Sequence, residues 1–203
     1  MSDTRVFAGG MLAGLAAIVA AYWLYTKESI SPLQGADGPG PNLMLTVAGQ
    51  ARGDIVIDLM PDIAPKNVER VIELARSGAY NNVSFHRVID GFMVQTGDVQ
   101  YGKITGDLSK AGQGGSKLPD VALEPSKVQF LRGVVGMARR AQPDSANSQF
   151  FIMLGAGQHL DGDYTVIGHV ISGMEIVDRI KKGDPDLNGA VQDPDWIVST
   201  RIN

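Results

Sequence analysis

From residue 43 onward, apolar residues come in short bursts rather than in long periodic runs. Residues 43–47, 55–59, 92–95, 134–137, 150–153 and 165–168 are each rich in β-branched, aromatic or aliphatic side chains, with Gly, Pro, Asp or Asn between them. Such segments predict strands. Many short strands at turn-rich spacing point to a barrel or a sandwich. Two stretches carry helical spacing instead. Pro65 opens the first, Val68, Val71, Ile72 and Ala75 share one face, and Gly78 is placed to end it. The second is predicted to start at Ser172, with Glu175 at capping-box distance, apolar Met174, Ile176, Val177 and Ile180, and Gly183 at its end. Two isolated helices among many strands fit a closed barrel whose open ends the helices plug.

Residues 6–25 break this pattern, because they carry no charge at all. About 20 apolar residues span a bilayer core as a helix. Tyr22, Trp23 and Tyr25 gather at the far end, where interfacial aromatics belong. A helix on the surface of a soluble domain would show a polar face, and this run has none. A cleavable signal has a shorter apolar region of about 7–15 residues, although Val19-Ala20-Ala21 has the small residues of a cleavage site. Residues 1–26 therefore read as a tail and a single N-terminal membrane anchor. The alternative is a secreted or periplasmic domain after signal cleavage. The short leading tail favours a folded domain outside the cytoplasm. Residues 27–42 hold Pro32, Pro39, Pro41, Gly35, Gly38 and Gly40 and read as a flexible linker spanning roughly 20–25 Å. Residues 43–203 form the one folded domain.

Composition narrows the function. The net charge is -4 and no basic block stands out, so nucleic-acid binding has no electrostatic support. There is no cysteine, which excludes disulfides and thiolate chemistry. His86, His159 and His169 lack metal-ligand spacing, so no metal or cofactor is expected. Gly112-Gln113-Gly114-Gly115 lacks the Lys-Ser/Thr ending of a phosphate loop.

Four ordered segments carry a resemblance. They are residues 84–98 (SFHRVIDGFMVQTGD), the Gly-rich loop at 112–115, residues 133–139 with 145–152 (GVVGMAR, SANSQFFI), and residues 160–168 (LDGDYTVIG). In order and spacing they resemble the cyclophilins, and the likeness covers residues 43–203. The resemblance implies a mainly β fold, an eight-stranded antiparallel barrel capped by two helices, here with an N-terminal hydrophobic helix added. It implies cis-trans isomerisation of peptidyl-prolyl bonds, with proline-containing polypeptides as partners. Carried over residue by residue, Arg87 stands in the catalytic arginine position. Phe92, Met93 and Phe151 resemble the pocket for the proline ring, with Leu160 as a wall. Gln95 and Gln149 resemble the polar contacts to the substrate backbone. Ala138 and Arg139 lie where the family contact is largely main-chain, and Tyr164 supplies a ring and a hydroxyl. Cyclosporin-sensitive eukaryotic members carry Trp, His and Asn where this chain has His159, Tyr164 and Arg139. These choices resemble the bacterial branch and imply weak or no cyclosporin binding.

The chemistry suits such residues. Twisting an amide costs roughly 18–20 kcal/mol of lost resonance, and no covalent bond breaks. The catalyst needs an apolar socket and a donor aimed at the prolyl nitrogen, whose lone pair appears only in the twisted state. Arg87 can be that donor. The alternative is a membrane-tethered binding module or assembly factor that holds proline segments without turning them. Arg87 favours the enzyme, because a pure binder needs no donor for the transition state.

Overall fold

The computed structural model describes residues 36–203. The uncharged run at 6–25 and the first part of the predicted linker lie outside the described residues. Among the described residues no helix is long and apolar enough to cross a membrane.

The strands are β1 (Asn42–Ala48), β2 (Gly53–Leu59), β3 (Val83–Ser84), β4 (Arg87–Ile89), β5 (Met93–Thr96), β6 (Val134–Met137), β7 (Phe150–Met153), β8 (Val166–Ser172) and β9 (Trp196–Ile202). Among the described residues two α-helices join them, α1 (Pro65–Arg76) and α2 (Met174–Arg179). All pairings are antiparallel, in the order β3-β9-β1-β2-β8-β6-β7-β5-β4. Each predicted strand is present, though β5 starts one residue late and β8 runs on to Ser172. Three more were not predicted: β3 and β4 hold only two and three residues, whereas β9 is rich in β-branched residues and its strand signal was passed over.

The expected closed eight-stranded barrel is instead a curled sheet of nine strands, open between β3 and β4. The reason is local. The two edge strands hold two and three residues and are separated only by Phe85 and His86. The covalent chain itself crosses the gap in an extended path, and Phe85 N–H donates to Asp195 O at 2.8 Å, so the edge backbone pairs with neighbouring segments and not with the opposite edge. Loops cover both edges. Gly102 O accepts from Ser84 N–H at 2.8 Å, and Gly189 O accepts from Val88 N–H at 2.8 Å. Edge backbone is thereby kept from pairing with another chain.

Strand alternation builds the interior. β1 turns Leu43, Leu45 and Val47 inward; Ile55, Ile57, Val88, Val94, Val135, Phe150 and Ile152 join them. α1 adds Val68, Val71, Leu74 and Ala75 to this core, and α2 adds Ile176 and Val177. Glu124, distant in sequence, accepts from the Lys66 and Asn67 N–H groups and satisfies the first turn of α1. Gly78 ends α1 as predicted, with φ +70°. Ser172 does not cap α2. It is the last residue of β8, paired with Val56, and Gly173 takes the cap position at φ +91°. A Cβ at Gly173 would lie 2.3 Å from Asp54 O, so sheet packing overrides the capping-box spacing.

The last residues of the predicted linker lie against the sheet. Gly38 N–H donates to Asp58 at 3.1 Å, Leu59 N–H donates to Pro41 O at 3.0 Å, and His169 Nε2 bonds Ala36 O at 3.0 Å. Asp58 and His169 are a buried cross-strand pair of β2 and β8.

Phe150 is fully buried and meets Tyr80 edge-to-face at 5.5 Å. Phe150→Ala should lower the unfolding free energy by about 3–5 kcal/mol. Val198→Ala, on the outer face of β9, should change it by less than about 0.5 kcal/mol. Urea unfolding of both variants tests this assignment of faces, and equal costs would refute it.

Candidate active site

The outer face of β5, β6 and β7 is not left to solvent. It carries a second apolar cluster of Met93, Phe130, Val134, Phe151, Met153, Leu160 and Val166. The strand register decides what stands there. Arg87 on β4 faces Gln95 on β5, Gln95 faces Phe151 on β7, and Phe151 faces Gly136 on β6. Directly opposed residues share a face, so Arg87, Gln95 and Phe151 form one row. Their neighbours Val88, Val94 and Ile152 point the other way, into the core. Gly136 ends the row because a side chain cannot fit. A Cβ there would lie 2.6 Å from both Phe130 and Phe151, whose rings stack at 5.6 Å.

A cleft of roughly 480 Å³ opens over this row. Nine of the ten predicted site residues line it: Arg87, Phe92, Met93, Gln95, Ala138, Arg139, Phe151, Leu160 and Tyr164. The tenth, Gln149, lines a smaller adjoining hollow, which shares Gln95, Ala138 and Arg139 with the cleft. His159 and Asp163 complete the cleft wall, and the motif reading assigned neither a role. His159 stacks on Phe92 at 5.4 Å, and Tyr164 meets Phe151 edge-on at 5.9 Å. Arg139 lies over the Tyr164 ring at 4.5 Å, with its Nε donating to Asp163 O.

Arg87 heads a hydrogen-bonded chain. Its Nη1 donates to Gln95 Oε1 at 3.1 Å. Gln95 Nε2 donates to Gln149 Oε1 at 2.9 Å. Gln149 Nε2 donates to the carbonyls of Gly112 and Gly114 at 3.0 and 2.8 Å. Two further Arg87 donors are taken by Asn188, Nε by its main-chain O and Nη2 by Oδ1. Of the five guanidinium N–H groups, three are thus engaged and a fourth rests 3.9 Å from Met93 Sδ, which is a weak acceptor. Nη2 keeps one N–H for a ligand. Partial burial pulls the guanidinium below its ordinary pKa, but arginine stays charged at neutral pH.

The Gly-rich loop is a nest already occupied from within. The buried Asp98 carboxylate accepts from the N–H groups of Gln100, Tyr101, Gly112 and Gly114. The loop's amides therefore serve an internal anion, and its carbonyls are left facing Gln149. Gly112, at φ +93°, must be glycine for a second reason: a Cβ would lie 2.9 Å from the His86 ring. His86 is buried with neither ring nitrogen bonded. Burial lowers its pKa below the usual 6.5, with nearby Asp98 opposing.

Residues 43–202 match the family model described as "Cyclophilin type peptidyl-prolyl cis-trans isomerase/CLD". A Brucella suis protein named "Probable peptidyl-prolyl cis-trans isomerase" is 55% identical over 180 residues, covering 88% of this chain and 91% of that one. Human "Peptidyl-prolyl cis-trans isomerase-like 3" is 42% identical over 134 residues, 64% of this chain and 77% of that one. Among solved structures, a Cryptosporidium parvum cyclophilin type peptidyl-prolyl cis-trans isomerase, crystallised in the presence of the dipeptide ala-pro, superposes with TM-score 0.67 at 25% identity. That likeness covers 80% of this chain and 98% of that one. A cyclophilin from Hirschia baltica shares the fold, with TM-score 0.65 at 22% identity over 81% of this chain and 74% of that one.

The unfolded chain binds a proton at His86 near pH 6.5, while the fold resists that proton. Stability should be full above about pH 6.5 and fall as the pH drops below it. Urea unfolding at pH 7.5 and 5.5 measures the loss, and His86→Gln should remove part of it. The same pH dependence in both proteins would rule out His86 as a source.

Proposed function

The chain belongs to the cyclophilin-type peptidyl-prolyl cis-trans isomerases, and on that premise we propose which of its residues turn the prolyl bond and where the enzyme works. The protein is a peptidyl-prolyl cis-trans isomerase. The observation that carries the residue assignment is Arg87, a fixed cation with one unengaged N–H, set in the same cleft as an apolar cluster.

In this reading the proline ring enters between Phe92, Met93, Phe151 and Leu160. That contact removes it from water and anchors one side of the bond. The main chain of Ala138 and Arg139, with Gln95 and Gln149, holds the substrate backbone. The segment before proline then rotates. As the amide twists, resonance is lost and the prolyl nitrogen gains a lone pair. The free Nη2 N–H of Arg87 donates to it. This bond is absent in either planar ground state, so it lowers the barrier rather than tightening binding. No nucleophile is used and no intermediate forms.

His159 stacks on Phe92 and Arg139 lies over Tyr164, so the cleft mouth differs from the Trp, Asn and His of the cyclosporin-sensitive pattern. Weak or no cyclosporin binding is proposed on that ground. The uncharged run at 6–25 supports a single N-terminal anchor with the domain outside the cytoplasm.

Exchange NMR on an Ala-Pro peptide tests the mechanism. The wild-type chain should give fast cis-trans exchange, insensitive to added cyclosporin. Arg87→Ala should slow it by about 10²–10³-fold, with peptide affinity changed by less than about threefold. Equal losses of rate and affinity would favour a proline-binding module instead. For the anchor, the full-length chain should stay in the membrane fraction after an alkaline wash, and deletion of residues 6–25 should release it. A mature chain beginning near Tyr22 would replace the anchor with a cleaved signal.

A further inference from the structure

Arg87 is gripped from two sides, and only one of them belongs to the signature segment. Gln95 takes Nη1. The other edge of the guanidinium fork meets a single residue 101 positions away. Asn188 accepts from Nε through its main-chain O and from Nη2 through Oδ1, each at 3.0 Å.

The main chain fixes Asn188 in place. It ends a short 3₁₀ turn, Pro185–Leu187, in the left-handed region at φ 54° and ψ 35°. Asparagine reaches that region more easily than most residues with a side chain. The turn is closed by Gly189 N–H donating to Asp184 O at 2.8 Å and Asp184 N–H donating to Ala190 O at 2.9 Å. It is stitched to β4 by Val88 N–H donating to Gly189 O at 2.8 Å and Gly183 N–H donating to Val88 O at 3.0 Å. Gly189 allows this close approach. At φ +78°, a Cβ would lie 2.6 Å from Ile89 Cγ1. The loop that covers the β4 edge therefore also brings two acceptors to the residue at the start of that strand.

We infer that Asn188 is a positioning residue for the isomerisation, aiming the Arg87 guanidinium at the prolyl nitrogen. Arginine has a long, freely rotating stem, and ordering such a side chain costs free energy. Two opposed grips supply that order before substrate arrives. Asn188 does not line the cleft, so its effect passes through Arg87. This inference rests on the reading of Arg87 as the transition-state donor. A misdirected donor loses transition-state contact more than substrate affinity, so the loss belongs in kcat rather than KM.

Asn188→Gly isolates the side chain, because glycine keeps the left-handed backbone and the main-chain acceptor while removing Oδ1. In the full-length protein kcat should fall about fivefold, equivalent to about 1 kcal/mol, with KM and Tm nearly unchanged. Asn188→Asp restores an acceptor at the same reach and should recover activity to within about twofold of wild type. In an Arg87→Ala background, Asn188→Gly should have no further effect on kcat. A wild-type kcat for Asn188→Gly would overturn the inference while leaving Arg87 in its role, provided Arg87→Ala alone is slow. The same fold-loss in both backgrounds, or no recovery by Asn188→Asp, would also overturn it and make the loop a general structural support. An active Arg87→Ala would remove the premise instead.

Discussion

Arg87, Gln95 and Phe151 stand in one row because β4, β5 and β7 pair antiparallel in a single register. The side-chain period of a strand is two, so a slip of one residue would send all three inward and bring Val88, Val94 and Ile152 out. Such a slip would bury a charge and expose three core residues. The register is thus held by the hydrophobic effect on both faces at once. The inner face packs into the main core, and the outer face packs into the cluster around Phe130 and Phe151. Placement of the cleft floor and core stability are one constraint here, which is why Arg87, Met93, Gln95 and Phe151 sit on strands, while Phe92, Ala138, Arg139, Gln149, Leu160 and Tyr164 come from the segments between them.

Loops enter as the source of polar order. Asp98 organises the Gly112–Gly114 turn through its amides, the turn's carbonyls hold Gln149, and Gln149 and Gln95 pass that order to Arg87. Every member of this chain has a partner, which matters because a half-satisfied polar network beside an apolar floor would cost more than it stabilises. The magnitudes limit what Arg87 does alone. An acceleration of ~10⁵-fold requires about 7 kcal/mol, and one positioned donor is typically worth about 3–4 kcal/mol. In the proposed mechanism the remainder comes from anchoring and desolvating the proline in the apolar cleft.

Much of this was legible in the sequence. Strand bursts and the Pro65-to-Gly78 helix are local patterns, set by residues within one or two turns of each other. The signature segments carried all ten residues that the cleft and its adjoining hollow bring together, and their types suit the proposed chemistry: a permanent fork-shaped donor, apolar walls and amide handles. Two strong local signals pointed elsewhere. Ser172 and Glu175 have capping-box spacing, yet Ser172 is spent on the β8 ladder. The glycines at 38 and 40 read as flexible, yet a Cβ at Gly40 would lie 2.0 Å from Leu59 O, so close docking on β2 requires them.

Asn188 shows where sequence reading ended. An Asn-Gly pair after Asp184 and Pro185 announces a turn, but nothing in it names the partner of its acceptors. The partner lies 101 residues away and meets it because the loop at 183–190 is hydrogen-bonded along the β4 edge. The open seam between β3 and β4 and the pairing of β9 with both β1 and β3 are likewise non-local. By itself the sequence determined six of the nine strands, the helix that Pro65 opens, the absence of thiol chemistry and the residues that line the cleft, because these depend on composition and short spacing. Only the tertiary structure decided the open, nine-stranded curl, the internal use of the Gly-rich loop and the second grip on Arg87. Those depend on which distant backbones approach closely enough to exchange hydrogen bonds.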